Sequence, residues 1–344
     1  MTMVHAALRD LLFRRRRYLI STFGCGLVFA IGLVMTGLSD AFPVEWERTI
    51  QALGAKSFVT PAQLSGPFSG ASPFEGDRLP AGVDPMAFAV QTATLDEPIT
   101  VAMLGLVPRS ASVPEIESGR GFENAGEAIV STRSPFGIGD TILVSSHELR
   151  VVGTLGDLSV NGGMPVVVVP LGDAQEILYR GLPLVGAGII RSDERPTAPD
   201  GLQVQSAATA RTDALRLLAS ARKSIDFVKV LLWLVAALII GSVTFLSVIE
   251  RLRDFAVFKA IGTSVPGIAA GVMLQAVALA LVSSVLGVGL GWLIAPVFPL
   301  PVVISPVAAL LLPALGAAVG LMASLFGLSR VLKVEPALAF GGAA

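Results

Sequence analysis

The chain of 344 residues contains long apolar runs on either side of one long mixed stretch. Residues 18–38 carry no charge, and neither do residues 230–249. A further 70 residues, 260–329, are uncharged throughout. One membrane helix needs only ~20 residues, so this last run predicts two helices. The pattern therefore predicts four transmembrane helices, at 18–38, 226–249, 267–295 and 307–329. Prolines mark the turn 296–306 between the last two: Pro296, Pro299, Pro301 and Pro306.

The first apolar run also resembles a secretory signal peptide, because a basic start precedes it and small residues follow. A signal peptide's apolar core usually has about 7–15 residues. The uncharged run 18–38 is longer, which favours a retained membrane helix. Residues 41–53 could continue this helix beyond the membrane.

The stretch 39–225 is long enough to form a domain with its own core. Gly-Asp at 139–140 predicts a turn, followed by a hairpin-like pair of strands. Helices are predicted at 171–179 and from Ser206 to Lys229, the second running into the next span without a break. We therefore predict a membrane α-helical fold with a mixed α+β domain between the first and second helices. The predicted strands are 87–94, 99–107, 127–132, 141–145, 149–155 and 164–169.

Composition and charge agree with a membrane protein. The chain is 53% hydrophobic and 15% charged, with a mean hydropathy of +0.74, whereas soluble domains are about 25% charged. From Asp40 to Arg216 there are 21 acidic and 12 basic residues, while the remainder has a basic excess. Basic residues are retained on the cytoplasmic side. We therefore expect a plasma-membrane protein with cytoplasmic termini and an extracytoplasmic domain at 39–225.

The N-terminal residues 1–17 are predicted to form a cytoplasmic amphipathic helix. It ends in four consecutive arginines, whose expected role is to anchor the first span at the membrane face. Binding of anionic lipids is compatible with that role. These arginines are Arg14, Arg15, Arg16 and Arg17.

Several kinds of chemistry find no support in the residues. Gly54-Ala55-Lys56-Ser57 superficially resembles a phosphate-binding loop, but Ala55 stands where a Walker A loop has the glycine before its lysine. His147 lies in a turn, and no G-x-S-x-G elbow accompanies it. Cys25 is the single cysteine, so no intrachain disulfide forms. We expect no catalytic residues, no metal and no cofactor in this chain.

The segment 250–266, between the second and third spans, is the candidate functional site. Its apolar residues recur at helical spacing between charged ones, as in a helix that lies on a membrane or docks into a partner's groove. An ordinary juxtamembrane amphipathic loop would show the same pattern. The candidate residues are Glu250, Arg251, Arg253, Asp254, Phe255, Val257, Phe258, Lys259, Ile261 and Gly262.

Three stretches resemble FtsX-like, or MacB-type, ABC transporter permeases, whose fold is type VII. The string ERLRDFAVFKAIG at 250–262 resembles the family's coupling helix. The run GEAIVST…FGIGDTILVSSHELRVVGTL is similar to its periplasmic core domain. The closing EPALAF, within the tail 330–344, resembles its terminal motif, with Glu335 where aspartate is usual.

The resemblance implies a homodimer that binds two copies of a separate cytoplasmic ABC ATPase. That subunit would hold ATP and Mg²⁺, and its groove would receive Phe255, Val257, Phe258 and Ile261, with the charged residues of the segment orienting them. ATP binding would move the extracytoplasmic domains by mechanotransmission. Membrane lipids are expected partners, as is an extracytoplasmic lipoprotein, fusion protein or hydrolase. Nucleic acid is not.

Three functions remain open. An exporter or extractor of an amphipathic substrate is the first, and a non-transporting regulator of an envelope protein is the second. The third is an amino-acid importer of the kind labelled as a glutamine permease. An importer would need a polar site at mid-membrane, which these spans do not offer, because no Asp, Glu, Lys or Arg lies in the middle of any of them.

Overall fold

The structure is a computed structural model that describes residues 15–62, 66–69, 72–193, 196–250, 255–257 and 264–331. The chain divides into two units, one of residues 1–40 and 222–344 and the other of residues 41–221. The first unit contains the membrane helices and the second contains the β-sheet.

Among the described residues, four helices are long and apolar enough to cross a membrane, which confirms the four predicted spans. Helix α1 extends beyond the first predicted span to Ala52, although Pro43 lies inside it. The expected continuation over residues 41–53 is therefore present. Shorter helices α2 and α3 belong to the sheet unit. The helices are α1 (Arg15–Ala52), α2 (Leu171–Tyr179), α3 (Ala207–Leu217), α4 (Ala219–Ile249), α5 (Val265–Ile294) and α6 (Pro306–Val331).

The membrane helices approach one another closely at glycines. A Cβ on Gly287 of α5 would lie 2.6 Å from the Cβ of Phe29 on α1. A Cβ on Gly316 of α6 would lie 2.7 Å from the hydroxyl oxygen of Ser284 on α5. Small residues at such crossings let helix backbones pack together in lipid. In the sequence, Gly287 and Gly316 each precede a second glycine by four residues, a spacing that favours close helix packing, and the structure places both at helix contacts.

The second unit is built on an eleven-stranded mixed sheet. All six strands predicted from the sequence are present, with ends shifted by up to three residues. The additional strands are mostly short. The strands are β1 (Ser57–Pro61), β2 (Phe74–Glu75), β3 (Asp84–Thr94), β4 (Pro98–Leu106), β5 (Ile116–Gly119), β6 (Glu127–Ser131), β7 (Thr141–Val144), β8 (His147–Leu155), β9 (Ser159–Val160), β10 (Met164–Pro170), β11 (Leu184–Val185), β12 (Ala187–Ile190) and β13 (Leu202–Ser206).

Six strands of this sheet close into a ring. Their order is β3-β4-β10-β6-β8-β7, and β7 pairs with both β8 and β3. The pairs β4–β10 and β6–β8 are parallel, and the other ring pairs are antiparallel. The predicted hairpin is the β7–β8 pair. Closure leaves these six strands without a free edge, which removes sites for unwanted strand pairing.

The two faces of the ring strands bury different cores because side chains alternate along a strand. On β10, Val166 and Val168 belong to a core shared with α1 and α3. Val167 and Val169 belong to a second core inside the ring. Helix α2 contributes Ala174 to the second core. Both faces of β10 are thus covered, which explains its run of valines.

The helix predicted from Ser206 to Lys229 is wrong in one respect, since it is broken at Leu218. Ser206 ends β13 and caps α3, its hydroxyl accepting a hydrogen bond from the Thr209 N–H at 3.2 Å. Ala210 and Ala214 pack into the sheet core, whereas Ala236 of α4 packs into the membrane-helix core. The periodicity of the sequence does not reveal that α3 and α4 pack into two separate cores.

We predict that Gly287→Leu lowers the thermal stability of the protein in detergent, because overpacking a close contact costs about 1–3 kcal/mol. Gly289→Leu is the matched control, since a Cβ at Gly289 would have no neighbour within 4 Å. The measurement is the unfolding midpoint of each variant by size-exclusion after heating. Equal midpoints for the two variants would contradict this packing.

Candidate functional site

The predicted site lies partly within the described residues. Glu250 follows the end of α4 and is exposed, and residues 255–257 are helical. Arg15, Arg16 and Arg17 form the first residues of α1. Ser264 precedes α5. The remaining predicted site residues lie outside the described residues: Arg14, Arg251, Arg253, Asp254, Phe258, Lys259, Ile261 and Gly262.

Phe255 attaches this connection to the membrane helices. Its side chain is 8% exposed and packs with Val248 of α4 and with Ile268 and Val272 of α5. Val257, two residues later, is 45% exposed. Of the predicted anchor residues, Phe255 thus faces its own chain and Val257 faces away from it. Residues 255–257 are therefore packed against the membrane helices through Phe255, while Val257 remains exposed for contact with another molecule.

A polar cluster adjoins the residues that pack on Phe255: Ser247 directly precedes Val248 on α4, and Gln275 follows Val272 by three residues on α5. Tyr18 of α1, Ser247 of α4 and Gln275 of α5 are all buried. The Gln275 amide donates hydrogen bonds to the Tyr18 hydroxyl and to the Ser247 hydroxyl, the latter at 3.3 Å. The hydroxyls of Tyr18 and Ser247 are 3.2 Å apart. These bonds join three membrane helices, each bond contributing about 0.6–2 kcal/mol in lipid. We call this group the three-helix polar cluster.

Sequence reasoning missed this cluster, because it looked only for Asp, Glu, Lys and Arg at mid-membrane and these three residues are uncharged. Gln275 carries the only amide side chain in the uncharged run 260–329, so hydropathy averaged over a helix does not register it. Its isolation in an apolar run is the signal that could have found it, since a polar side chain in a span needs a partner. The cluster is uncharged, and its members bond to one another.

A second functional candidate lies in the sheet unit, where α1 meets the turn after β9. The Glu45 carboxylate is buried. One of its oxygens accepts a hydrogen bond from the Ser159 hydroxyl at 3.0 Å, and the other accepts from the Gly162 N–H at 2.8 Å. Gly162 has φ +85°, and a Cβ there would lie 2.9 Å from the ring of Phe42. Glycine therefore allows the turn to reach the helix.

Two further side chains of α1 hold the same turn. The Trp46 indole N–H donates to the Asn161 side-chain oxygen at 3.3 Å. The Thr49 hydroxyl donates to the Ser159 carbonyl at 3.3 Å. The Trp46 ring also packs against Phe68, with centroids 4.6 Å apart. We call the contacts of Glu45, Trp46 and Thr49 with residues 159–162 the sheet joint. It ties α1 to the sheet by directional bonds as well as apolar packing.

Comparison with known proteins identifies the family. A sequence model of the FtsX-like permease C-terminal region matches residues 227–336. An uncharacterized ABC transporter permease of Mycobacterium bovis (strain ATCC BAA-935 / AF2122/97) is 41% identical over 350 residues, which cover 99% of this chain and 100% of the relative. The chain belongs to the FtsX-like ABC transporter permeases. Another permease so described, from Mycobacterium tuberculosis H37Rv, is 39% identical over 352 residues, with the same two coverages.

Solved structures similar to the permease comprise domains outside the membrane. The periplasmic region of MacB from Actinobacillus actinomycetemcomitans has 11% identity and a TM-score of 0.34, covering 47% of this chain and 94% of that one. The extracellular domain of the transporter YknZ from Gram-positive bacteria has 15% identity and a TM-score of 0.29, covering 49% and 94%. The family assignment rests on the mycobacterial relatives.

Membership of this family makes the chain a permease, a multi-pass membrane protein whose ATPase is a partner. The relatives are permeases, in keeping with a non-enzymatic role. Within the described ranges, no group of three or more His, Cys, Asp or Glu side chains could hold a metal ion. Two sets of contacts stand out in the permease. Phe255 packs on the membrane helices α4 and α5, and the sheet joint bonds α1 to residues 159–162.

We predict that Phe255→Ala loosens the connection between α4 and α5, because truncating a buried phenylalanine costs about 3–5 kcal/mol. Hydrogen exchange of peptides covering residues 250–264 should become faster in the full-length permease. Val257→Ala serves as the control, since its side chain is half exposed, and should leave exchange unchanged. The packing of Phe255 is refuted if both variants exchange alike.

We predict that Glu45→Ala destabilises residues 41–221, because the Gly162 N–H and Ser159 hydroxyl lose a buried acceptor at about 1–3 kcal/mol. Each kcal/mol corresponds to about 2–4 °C in Tm for a unit of this size. Protease susceptibility of the full-length permease on heating measures the shift. Glu47→Ala removes a half-exposed pair with Arg211 and should cost less than about 1 kcal/mol. A larger effect at Glu47 would contradict the sheet joint.

Proposed function

We propose that this permease couples ATP binding and hydrolysis on a separate ATPase to movement of its sheet unit. The movement serves export or extraction of an amphipathic substrate. In this proposal the ATPase binds residues 250–261, which we call the handle. One observation carries this proposal most directly: the connection between α4 and α5 buries Phe255 against both helices while Val257 is left exposed.

The attachment of Phe255 supports coupling for a mechanical reason. A force applied to a loosely tethered loop would be lost in motion of the loop. Because Phe255 packs on Val248, Ile268 and Val272, a displacement of the handle acts on the ends of α4 and α5. The three-helix polar cluster extends the connection to α1 through Gln275 and Tyr18. Hydrogen bonds fix direction more strictly than apolar contacts between membrane helices do.

The sheet joint supports the other half of the proposal. Helix α1 contributes Tyr18 to the first unit and Glu45 to the second. At Glu45, directional bonds rather than apolar contacts alone join the helix to the sheet. In this proposal α1 carries movement between the two units, and no substrate channel through the bundle is required.

The proposed arrangement has the termini and the handle in the cytoplasm and the sheet unit outside. The basic excess beside the spans supports this orientation. Two permease chains and two ATPase subunits form the working complex, with ATP and Mg²⁺ held by the ATPase. Arg14, Arg15, Arg16 and Arg17 anchor the first span at the inner face, next to membrane lipids.

The alternatives differ in measurable ways. An exporter's ATPase activity rises when its substrate is added to the purified complex. A regulator instead holds a stable extracytoplasmic partner, such as a lipoprotein, fusion protein or hydrolase, and moves no molecule. An amino-acid importer would accumulate glutamine in proteoliposomes. Substrate-stimulated ATPase activity without glutamine uptake is the outcome that we expect.

The handle is tested by Val257→Asp and Phe258→Asp, each of which places a charge on the proposed gripping surface. An anchor residue contributes about 2 kcal/mol or more to an interface, so affinity for the ATPase should fall roughly thirtyfold. The measurements are co-purification with the partner ABC ATPase and the ATP hydrolysis of the complex.

Ser264→Asp is the matched control, since it adds the same charge in the same connection at an exposed helix N-cap, where aspartate is well tolerated. It should leave co-purification and hydrolysis unchanged. If Val257→Asp and Phe258→Asp insert normally and retain the ATPase with full activity, residues 250–261 are not the handle.

A further inference from the structure

A cavity of about 420 Å³ lies between α1, α4 and α6 within the first unit. Such a volume is typical of small-ligand sites, which span ~300–1,000 Å³. Most of its lining is apolar, including Leu33, Leu311 and Leu315, with the Trp233 ring on the α4 side. Three polar residues also line it: Thr36, Asp40 and Ser305.

The polar lining residues lie toward one end of the helices, and the apolar ones lie farther along them. On α1, Leu33, Thr36 and Asp40 lie on one face at helical spacing, so polarity increases toward the end of the span. Ser305 directly precedes α6, whose leucines follow deeper in the helix. The Val303 N–H donates to the Gly37 carbonyl at 3.0 Å, which places the start of α6 beside the Asp40 end of α1. The cavity therefore has one polar end and an apolar interior.

Asp40 gives the polar end a negative charge. Among the described residues, no hydrogen bond or ion pair is recorded for its carboxylate. The Thr36 hydroxyl donates to the Gly32 carbonyl at 2.9 Å, so its oxygen can accept. The Ser305 oxygen accepts from the Ala308 N–H at 3.2 Å. A charge beside apolar walls interacts more strongly with an opposite charge than one in water does.

The geometry points to a binding site for one cationic amphiphile in this cavity. Its ammonium group lies on Asp40 and its apolar chain lies between Leu33, Leu311 and Trp233. Lipid tails solvate an apolar chain as well as these leucines do. The cavity walls therefore determine which chain shapes fit, and the carboxylate determines which headgroup is preferred. The site prefers an amine over a neutral headgroup of equal chain length.

A second copy of the chain fits this cavity less well. The uncharged parts of the spans, residues 18–38, 230–249 and 260–329, bring no cation to Asp40. Lys229, which precedes the second of these runs on α4, already pairs with Asp226 at 2.6 Å. Burying the carboxylate against apolar helices would leave a desolvated charge without a partner. A mobile amphiphile with its own ammonium group supplies the missing charge. This inference deepens the proposed function by naming the substrate's charge class and in that sense rests on it.

The test uses the full-length permease in nanodiscs of zwitterionic lipid, without ATP or ATPase. Two probes carry a photoreactive diazirine in identical alkyl chains, one ending in an amine and the other in an alcohol. Mass spectrometry measures labelling of residues 33–40 and 305–315. The amine should label these peptides at concentrations lower by on the order of tenfold, as expected for a charge-assisted hydrogen bond.

Asp40→Asn should remove the preference for the amine while labelling by the alcohol persists, which shows that the cavity remains. Asp96→Asn is the matched control: it removes the same charge from an exposed residue between β3 and β4 in the sheet unit, and the preference should stay. Ala308→Phe fills the cavity and should lower labelling by both probes.

The inference is overturned if the amine and the alcohol label the wild type equally, or if Asp40→Asn keeps the preference. It is also overturned if Asp96→Asn loses the preference as fully as Asp40→Asn does. If neither probe labels the cavity peptides, a second chain or resident lipid occupies the cavity, and the inference again fails. Because no ATPase is present, these outcomes are separate from failure of the handle at Val257.

Discussion

The rest of this structure depends on one helix that has to satisfy two different surroundings. In hydrocarbon, backbone groups cannot be left without hydrogen bonds, so α1 must remain helical across the membrane. Its residues Phe29 and Leu33 pack in the membrane-helix core, and Trp46 and Ile50 of the same helix pack in the sheet core. Pro43 removes one backbone donor without ending the helix. Each unit is organised around its own part of α1.

Uncharged hydrogen bonds and small residues hold the membrane helices together. Gln275 joins α5 to α1 and α4 at one level, and Gly287 allows α5 to contact α1 at another. Since lipid is as apolar as leucine, hydrophobic burial contributes little between such helices. Specific bonds and close contacts therefore decide which helices pair. The exposed leucines elsewhere on the bundle are compatible with contact to lipid.

The candidate functional site was predictable as a segment but not as a geometry. Alternating charged and apolar residues after α4 indicate an amphipathic connection, and a family motif names it. On that pattern both Phe255 and Val257 are predicted to be anchor residues, yet the structure buries Phe255 against its own chain and exposes Val257. Which apolar side chain faces inward depends on the packing of Val248 and Ile268, and these residues are distant in sequence from each other.

The sequence alone determined the number of membrane helices, the six main strands and the packing role of Gly287 and Gly316, because each follows from local periodicity, length or residue size. Tertiary structure decided how the strands connect: β7 closes the ring by pairing with β3, about 50 residues earlier. It also decided the break at Leu218, the partners of Glu45 and the polar end of the Asp40 cavity. These features arise where distant segments meet, and neither hydropathy nor spacing records which segments do so.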